Sequence, residues 1–309
     1  MTQFPDKMYV NVTRKCNLGC DYCYSASGRS GEDVDFNHVL SLMDEIKPRR
    51  IGISGGEPLL VADKLADFMG RYPCKTQTTL YTNGLLIEEK LKTVGDRVDI
   101  LKINFPATTR KVYQQLNGVD TFDTVIRGVK TSVRSGIETI LNTTLNHQNI
   151  KEVKAIVDFA ADNEVGEVNV LRVRPSGRAH NIELTPRDVM TAYQELLSSG
   201  KERGVKIDLH DPLANLFGIE VKCAAATGYL NVDTDSGLGP CPFFNQTVKG
   251  EFKDIWENNE LFKAARQPAK ECEECSTNNC LGGCRACSTN ISGSVKKDPW
   301  CFKDILESV

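Results

Sequence analysis

Short β-branched runs alternate with longer amphipathic stretches from about residue 8 to about residue 205. MYVNVT predicts a strand. FNHVLSLMDEI predicts a helix, because Phe36, Val39, Leu40, Met43 and Ile46 recur at helical spacing. RIGIS, QTTLYT, VDILKIN, ETILNTTL and EVNVLRV predict further strands, with ADKLADFMG, EEKLKTV, DTVIRGVKTSV and KEVKAIVDFAAD as the helices between them. Six β/α-type units in a row imply an α/β fold with a parallel sheet and helices on one or both faces. The helix PRDVMTAYQELLSSGKERG and the strand VKIDL follow, and the edge of the first domain is drawn there, at 1–209. Residues 210–309 are denser in glycine, proline and cysteine and are expected to form a second, smaller unit. Within it YLNVDTDSGLGPCPF predicts a hairpin turning between Asp233 and Gly239, and EFKDIWEN a short helix. The cysteine-rich end carries few apolar residues, so metal ligation is expected to help fold it.

Charge narrows the partners. With 38 basic and 41 acidic residues the net charge is −3, which argues against broad nucleic-acid binding but leaves room for a local basic groove. No apolar run reaches bilayer length, so no membrane partner is expected. The start MTQFPDKMYVNV lacks the basic region, apolar core and cleavage site of a signal peptide, so the expected location is cytoplasmic. The 12 cysteines are unevenly placed: Cys16, Cys20 and Cys23 lie together, Cys74 stands alone, and the others fall between Cys223 and Cys301. In a reducing compartment such clusters read as metal ligands before disulfides, and lone Cys74 as an unligated thiol.

The first cluster, in TRKCNLGCDYCYSASG, has the spacing Cys-x3-Cys-x2-Cys. A disulfide would strand one thiol and a structural zinc would want a fourth ligand. Three thiolates suit an iron–sulfur cluster with one open coordination position. The loop follows the first strand and so belongs at the C-terminal mouth of the sheet, where βα folds place their sites. The second signal is GISGGEPLL, in which Gly55 and Gly56 let backbone approach a ligand and Glu57 adds a carboxylate. Taken singly, the first motif could be half a zinc site and the second a common turn. Together, at the ends of consecutive strands, they point to one site.

In order and spacing these motifs resemble the radical S-adenosylmethionine (SAM) superfamily, whose fold is a partial (β/α)6 barrel. The resemblance implies that Cys16, Cys20 and Cys23 hold a [4Fe-4S] cluster and that SAM chelates its fourth iron. Cleavage of SAM by one electron then yields a 5′-deoxyadenosyl radical that takes hydrogen from the substrate. It further implies Tyr22 near the adenine, Gly55, Gly56 and Glu57 at the methionine amino group, and ribose contacts from Asn104 and from Thr143 or Asn146. Arg172, Arg174 and Arg178, at the end of the last core strand, read either as a solvated loop or as a carboxylate-binding group.

The tail resembles the SPASM extension of radical SAM enzymes, which holds two auxiliary [4Fe-4S] clusters, three in all with the first. In the family's crossed pattern Cys272, Cys275, Cys280 and Cys301 would hold the distal cluster, and Cys223, Cys241 and Cys284 the near one. Either the near cluster keeps an open iron or Cys287 is its fourth ligand. A zinc-ribbon-like tail is the alternative. The resemblance implies an oxidoreductase acting in peptide maturation by crosslinking, epimerisation or residue oxidation. Oxidation or rearrangement of a small molecule in cofactor or natural-product biosynthesis is the second expectation, and a non-enzymatic iron–sulfur or zinc protein the third. The resemblance implies an electron donor such as flavodoxin or ferredoxin, and a first strand beginning at about residue 8, with no room for a recognition domain before it, favours a small molecule, a short peptide or a separate peptide-recognition protein as the partner.

Overall fold

A computed structural model describes residues 4–308, apart from 181 and 278. Seven parallel strands stand side by side in sequence order: β1 (Lys7–Asn11), β2 (Arg50–Ser54), β3 (Gln77–Thr82), β4 (Ile100–Asn104), β5 (Glu138–Leu145), β6 (Glu167–Arg172) and β7 (Lys206–Leu209). The helices between them are α1 (Phe36–Ile46), α2 (Ala62–Gly70), α3 (Ile87–Val94), α4 (Arg110–Asn117), α5 (Phe122–Arg134), α6 (Val153–Asp162) and α7 (Pro186–Arg203). The elements expected from periodicity are present. Helix α4 was not expected: RKVYQQLN is largely polar and buries only Tyr113, Leu116 and Asn117.

Local chemistry sets the ends of these helices. The Asp35 side chain accepts from the Asn37 and His38 N–H groups and starts α1. Thr185 and Asp188 form a reciprocal capping box ahead of α7, with Pro186 in its first turn and Gly204 in the left-handed conformation after it. Strand alternation sorts the sheet faces. Met8 and Val10 join the apolar core, while Tyr9 borders an interior cavity.

The sheet crosses the boundary expected at 209/210. Strand β8 (Tyr229–Val232) pairs in parallel with β1, matching Lys7 to Tyr229 and Val10 to Val232, and β9 (Leu238–Gly239) folds back on β8 as the expected hairpin. The hairpin completes the edge left open beside β1. The remaining helices are α8 (Phe252–Asn258), α9 (Glu260–Arg266), α10 (Arg285–Ser292) and α11 (Lys303–Leu306). Burial contributes more here than the composition suggested, since Trp256, Phe262 and Phe302 are among the largest fully buried side chains. Among the described residues no helix is long and apolar enough to cross a membrane.

A buried ion triad joins the tail to the sheet. Arg172, at the end of β6, meets Asp211 through Nε at 2.9 Å and Asp298 through Nη2 at 2.7 Å, with all three side chains inaccessible to solvent. Tyr193 Oη donates to Asp211 at 2.9 Å, and the backbone N–H groups of Cys284 and Trp300 donate to Asp298 at 2.8 and 2.9 Å. Burial opposes the charge of Asp211, but Arg172, Arg174 and the Leu213 N–H outweigh it and hold this carboxyl below its usual range. At Asp298 burial prevails and pushes the carboxyl up.

Replacing Arg172 with Met should therefore destabilise the protein by roughly 3–5 kcal/mol, because two buried carboxylates lose their cation. Arg203→Met, which breaks the exposed pairs with Asp158 and Asp162, should cost less than about 1 kcal/mol. Urea unfolding of both variants checks the contrast, and equal midpoints would show that the triad does not hold the tail.

Candidate active site

The three-cysteine loop is fixed by backbone on one side and by guanidinium groups on others. Its return is closed by Cys16 N–H donating to Gly28 O at 2.5 Å. The turn after β2 lies against it, with Gly56 N–H on Thr13 O at 2.6 Å and Glu57 N–H on Lys15 O at 2.8 Å. No side chain fits between them: a Cβ on Gly56 would overlap the Lys15 carbonyl oxygen and sit 3.1 Å from Cys16 Cβ. Gly55 has φ +138°, a conformation closed to most residues. Arg178 donates to Cys20 O and Ser27 O, both at 2.7 Å. Arg14 donates to Ser25 O and pairs with Asp233 in the β8–β9 turn, both at 2.5 Å. Both the third arginine of LRVRPSGRAH and the tail hairpin therefore hold the loop.

Cys16, Cys20 and Cys23 all border one cavity of about 340 Å3. Burial pushes the Cys16 thiol up to about 11 and the Cys20 thiol to about 12, so metal ligation there must displace protons. Cys223, Cys241 and Cys284 border the same cavity. Burial also pushes Cys241 to about 12. Arg174 Nε donates to Cys284 Sγ at 3.2 Å, and its guanidinium stacks over Phe243 at 4.3 Å. Cys287 is fully buried in the first turn of α10, within reach of Cys284, and Arg172 Nη1 lies 3.9 Å from its sulfur. Cys272, Cys275, Cys280 and Cys301 form a separate group whose charges act on one another. Among the described residues no three His, Cys, Asp or Glu side chains close on the position of a single metal ion. Cys74 is exposed and takes a hydrogen bond from Arg97 at 3.0 Å.

Other expected contacts divide by strand parity. Tyr22, Asn104, Gly55 and Gly56 border the cavity, and Asn104 Nδ2 donates to Tyr22 Oη at 2.9 Å. Thr143 points the other way: it is buried on the helix side of β5 and donates to Phe105 O at 2.9 Å. Asn146 is spent on its own turn, donating to Thr144 O and accepting from Gln148 N–H. Asn142 and Thr144 face the cavity instead, and Asn142 Oδ1 is a buried acceptor with no partner. Core residues Leu141 and Leu145 share the parity of Thr143, so alternation along ETILNTTL puts Asn142 and Thr144 on the opposite, cavity face. Glu57 does not reach the cavity. Its carboxylate accepts from Leu59 N–H, Thr82 Oγ1 and Asn83 N–H at 2.7–3.0 Å, and burial pushes it up to about 7 against those bonds. The motif thus offers the cavity its glycine backbone, while its carboxylate braces β3. Arg172 borders the cavity, but its guanidinium is committed to Asp211 and Asp298.

Residues 10–160 match the family model described as the Radical SAM superfamily. The chain belongs to the radical SAM superfamily. Over 98% of its length it is 25% identical to the AdoMet-dependent heme synthase of Methanosarcina barkeri, spanning 97% of that protein. It is 26% identical to the mycofactocin maturase MftC of Mycobacterium tuberculosis over 89% of this chain and 77% of that one. The fold matches that of anSMEcpe with bound AdoMet and Cp18Cys peptide, with a TM-score of 0.76, 19% identity and coverage of 97% of this chain and 94% of that one. As a radical SAM enzyme it uses SAM and an iron–sulfur cluster, and the residues present fit both. The loop supplies thiol donors, the glycine turn leaves a cradle that no Cβ could share, and Asn142 presents an unpaired acceptor.

The cradle makes a test. Gly56→Ala should displace the Lys15–Cys16 backbone and lower the iron retained by the loop at least severalfold. Gly19→Ala, where nothing lies within 4 Å of the new Cβ, should retain it. Iron content after anaerobic reconstitution, with circular dichroism as the check on folding, reads both. Full iron retention in Gly56→Ala would mean that the loop does not depend on this contact.

Proposed function

We propose that the chain is a peptide-modifying oxidoreductase whose substrate occupies the cavity between the loop thiols and Cys223, Cys241 and Cys284. The observation that supports this reading is that both thiol sets border one cavity, of about 340 Å3. A group held there lies beside SAM and beside an auxiliary cluster at once. When bound, SAM and the clusters supply a carbon radical able to take hydrogen and an acceptor for the electron left behind. The protein's part is to hold these in place. Cys16, Cys20 and Cys23 hold the first cluster. Tyr22, Asn104, Asn142 and the Gly55–Gly56 backbone hold SAM. Cys223, Cys241 and Cys284 with Cys287 hold the near auxiliary cluster, and Cys272, Cys275, Cys280 and Cys301 the distal one. Likeness to a mycofactocin maturase favours a peptide substrate. Flavodoxin or ferredoxin would serve as electron donor, and a separate protein could present the peptide.

A second reading, action on a tetrapyrrole, is favoured by one observation. The heme synthase match runs nearly end to end in both chains. Anaerobic incubation with SAM, dithionite and either a short peptide encoded beside this gene or a porphyrin separates the two. Peptide maturation is expected to give 5′-deoxyadenosine with a mass change in the peptide; a change in the porphyrin alone would replace the first reading with the second.

The cluster assignment has its own readout. Reconstituted protein should carry on the order of 12 iron atoms per chain, as three cubane clusters require. Replacing Cys16, Cys20 and Cys23 together with Ala should abolish 5′-deoxyadenosine formation and leave the tail iron. Cys287→Ala should shift or remove one auxiliary signal in electron paramagnetic resonance. An iron count near a single cluster, or stoichiometric zinc, would refute the assignment.

A further inference from the structure

The sheet turns two lysines inward, one to the cavity wall and one behind it. Lys7 on β1 and Lys102 on β4 are both less than 10% exposed. Lys102 borders the cavity together with Tyr9, Tyr81, Tyr229, Asn169 and His210. Its Nζ donates to Asn169 Oδ1 at 2.9 Å. Lys7 lies behind this wall, 3.4 Å from Tyr81 Oη, with its ammonium over the Tyr229 ring at 5.2 Å.

Neither ammonium is in a direct ion pair, although Asp208 acts on both through space and Glu167 on Lys102. Among the described residues no carboxylate lies within ion-pairing distance of Lys7 or Lys102. The acidic side chains of the neighbouring strands make their close contacts with other groups, Asp208 with His210 at 3.0 Å and Glu167 with Lys206 at 2.7 Å, and reach the lysines only through space. An unpaired buried cation is costly to fold around. Burial pushes both lysines down to about 8, which still leaves most of each protonated at neutral pH. A buried ammonium at the cavity wall, with a second behind it and no carboxylate in contact with either, leaves room for a direct anion partner.

The position separates this demand from the cofactor. Lys102 stands two residues before Asn104 on the same face of β4, roughly 6–7 Å deeper than the Tyr22–Asn104 pair. The Tyr9, Tyr81 and Tyr229 side chains around it can pack against an apolar body while the ammonium takes the charged end.

We propose that Lys102, backed by the charge of Lys7, forms a subsite in the cavity wall that receives a carboxylate of the substrate. This rests on the reading that a peptide enters the cavity beneath SAM, and it specifies the chemistry of the part that goes in first: a carboxylate at a chain end or on a short side chain. Lys102 becomes a specificity-determining residue. A substrate lacking the anion leaves its ammonium unpaired, which is how a buried polar group rejects an analogue without its partner.

The probes are N-acetyl-triglycine and its C-terminal amide, which differ only at the carboxylate. Each is titrated calorimetrically into the SAM-loaded, cluster-reconstituted enzyme without reductant. The acid is expected to bind at least about tenfold more tightly than the amide, the scale of one charge-assisted contact. Lys102→Met should erase that preference and Lys102→Arg should keep part of it. Equal binding of acid and amide by the wild type overturns the proposal, whatever the variants do. So does an undiminished preference in Lys102→Met. Titration of SAM into Lys102→Met separates the sources of the carboxylate: a loss of SAM affinity matching the loss of acid affinity would assign the ammonium to the cofactor and overturn the proposal. Because nothing turns over in these titrations, their failure leaves the peptide-maturation reading to be judged by its product. Failure of that reading likewise leaves the anion preference measurable.

Discussion

The Arg172 guanidinium leaves the end of β6 and meets two carboxylates out of reach of water, Asp211 beyond β7 and Asp298 near the end of the chain. Such a group is expensive to bury alone and tolerable only when its partners are fixed. Its partners are fixed by other bonds. Asp211 receives Tyr193 from α7 and the Leu213 N–H. Asp298 receives the backbone N–H groups of Cys284 and Trp300, and the Trp300 ring lies over the guanidinium at 4.7 Å. A segment more than a hundred residues along the chain is thereby locked to the mouth of the sheet, and Cys284 is brought to the cavity by the same carboxylate that neutralises the arginine.

From that anchor the three arginines of LRVRPSGRAH take separate tasks. Arg172 holds the tail, Arg174 lies against Cys284 and donates to His210 O at 2.8 Å, and Arg178 grips the carbonyls of the three-cysteine loop. One strand end therefore positions both thiol groups about a shared space. Arg14 repeats the device from the other side, tying Ser25 O to Asp233 of the hairpin. In a radical SAM enzyme this geometry matters because a carbon radical is useful only if its target is held within contact. Backbone donors and buried guanidiniums meet that need with little freedom to drift.

The cavity stays open for a structural reason as well. A barrel interior of packed Val, Ile and Leu would close. Here the inward positions of the strands carry Lys102, Asn104, Asn142 and Asn169, and the outward positions carry the apolar set that meets the helices. The same alternation that packs the fold keeps its centre open.

The sequence alone determined the strands and most helices, because apolar period and capping residues act over a few positions and need no partner. It also singled out the three-cysteine loop and the glycine turn, which border one cavity, since Cys-x3-Cys-x2-Cys and GGE are legible in their spacing. Tertiary structure decided what depends on distant segments or on the exact face of a strand. It decided that β8 pairs with β1, that Glu57 turns inward to brace Asn83 and Thr82, and that Asn142 faces the cavity while Thr143 does not. A one-residue step along a strand reverses the side chain, and a carboxylate takes whichever donors the fold brings within reach. Neither is settled until the chain has closed on itself.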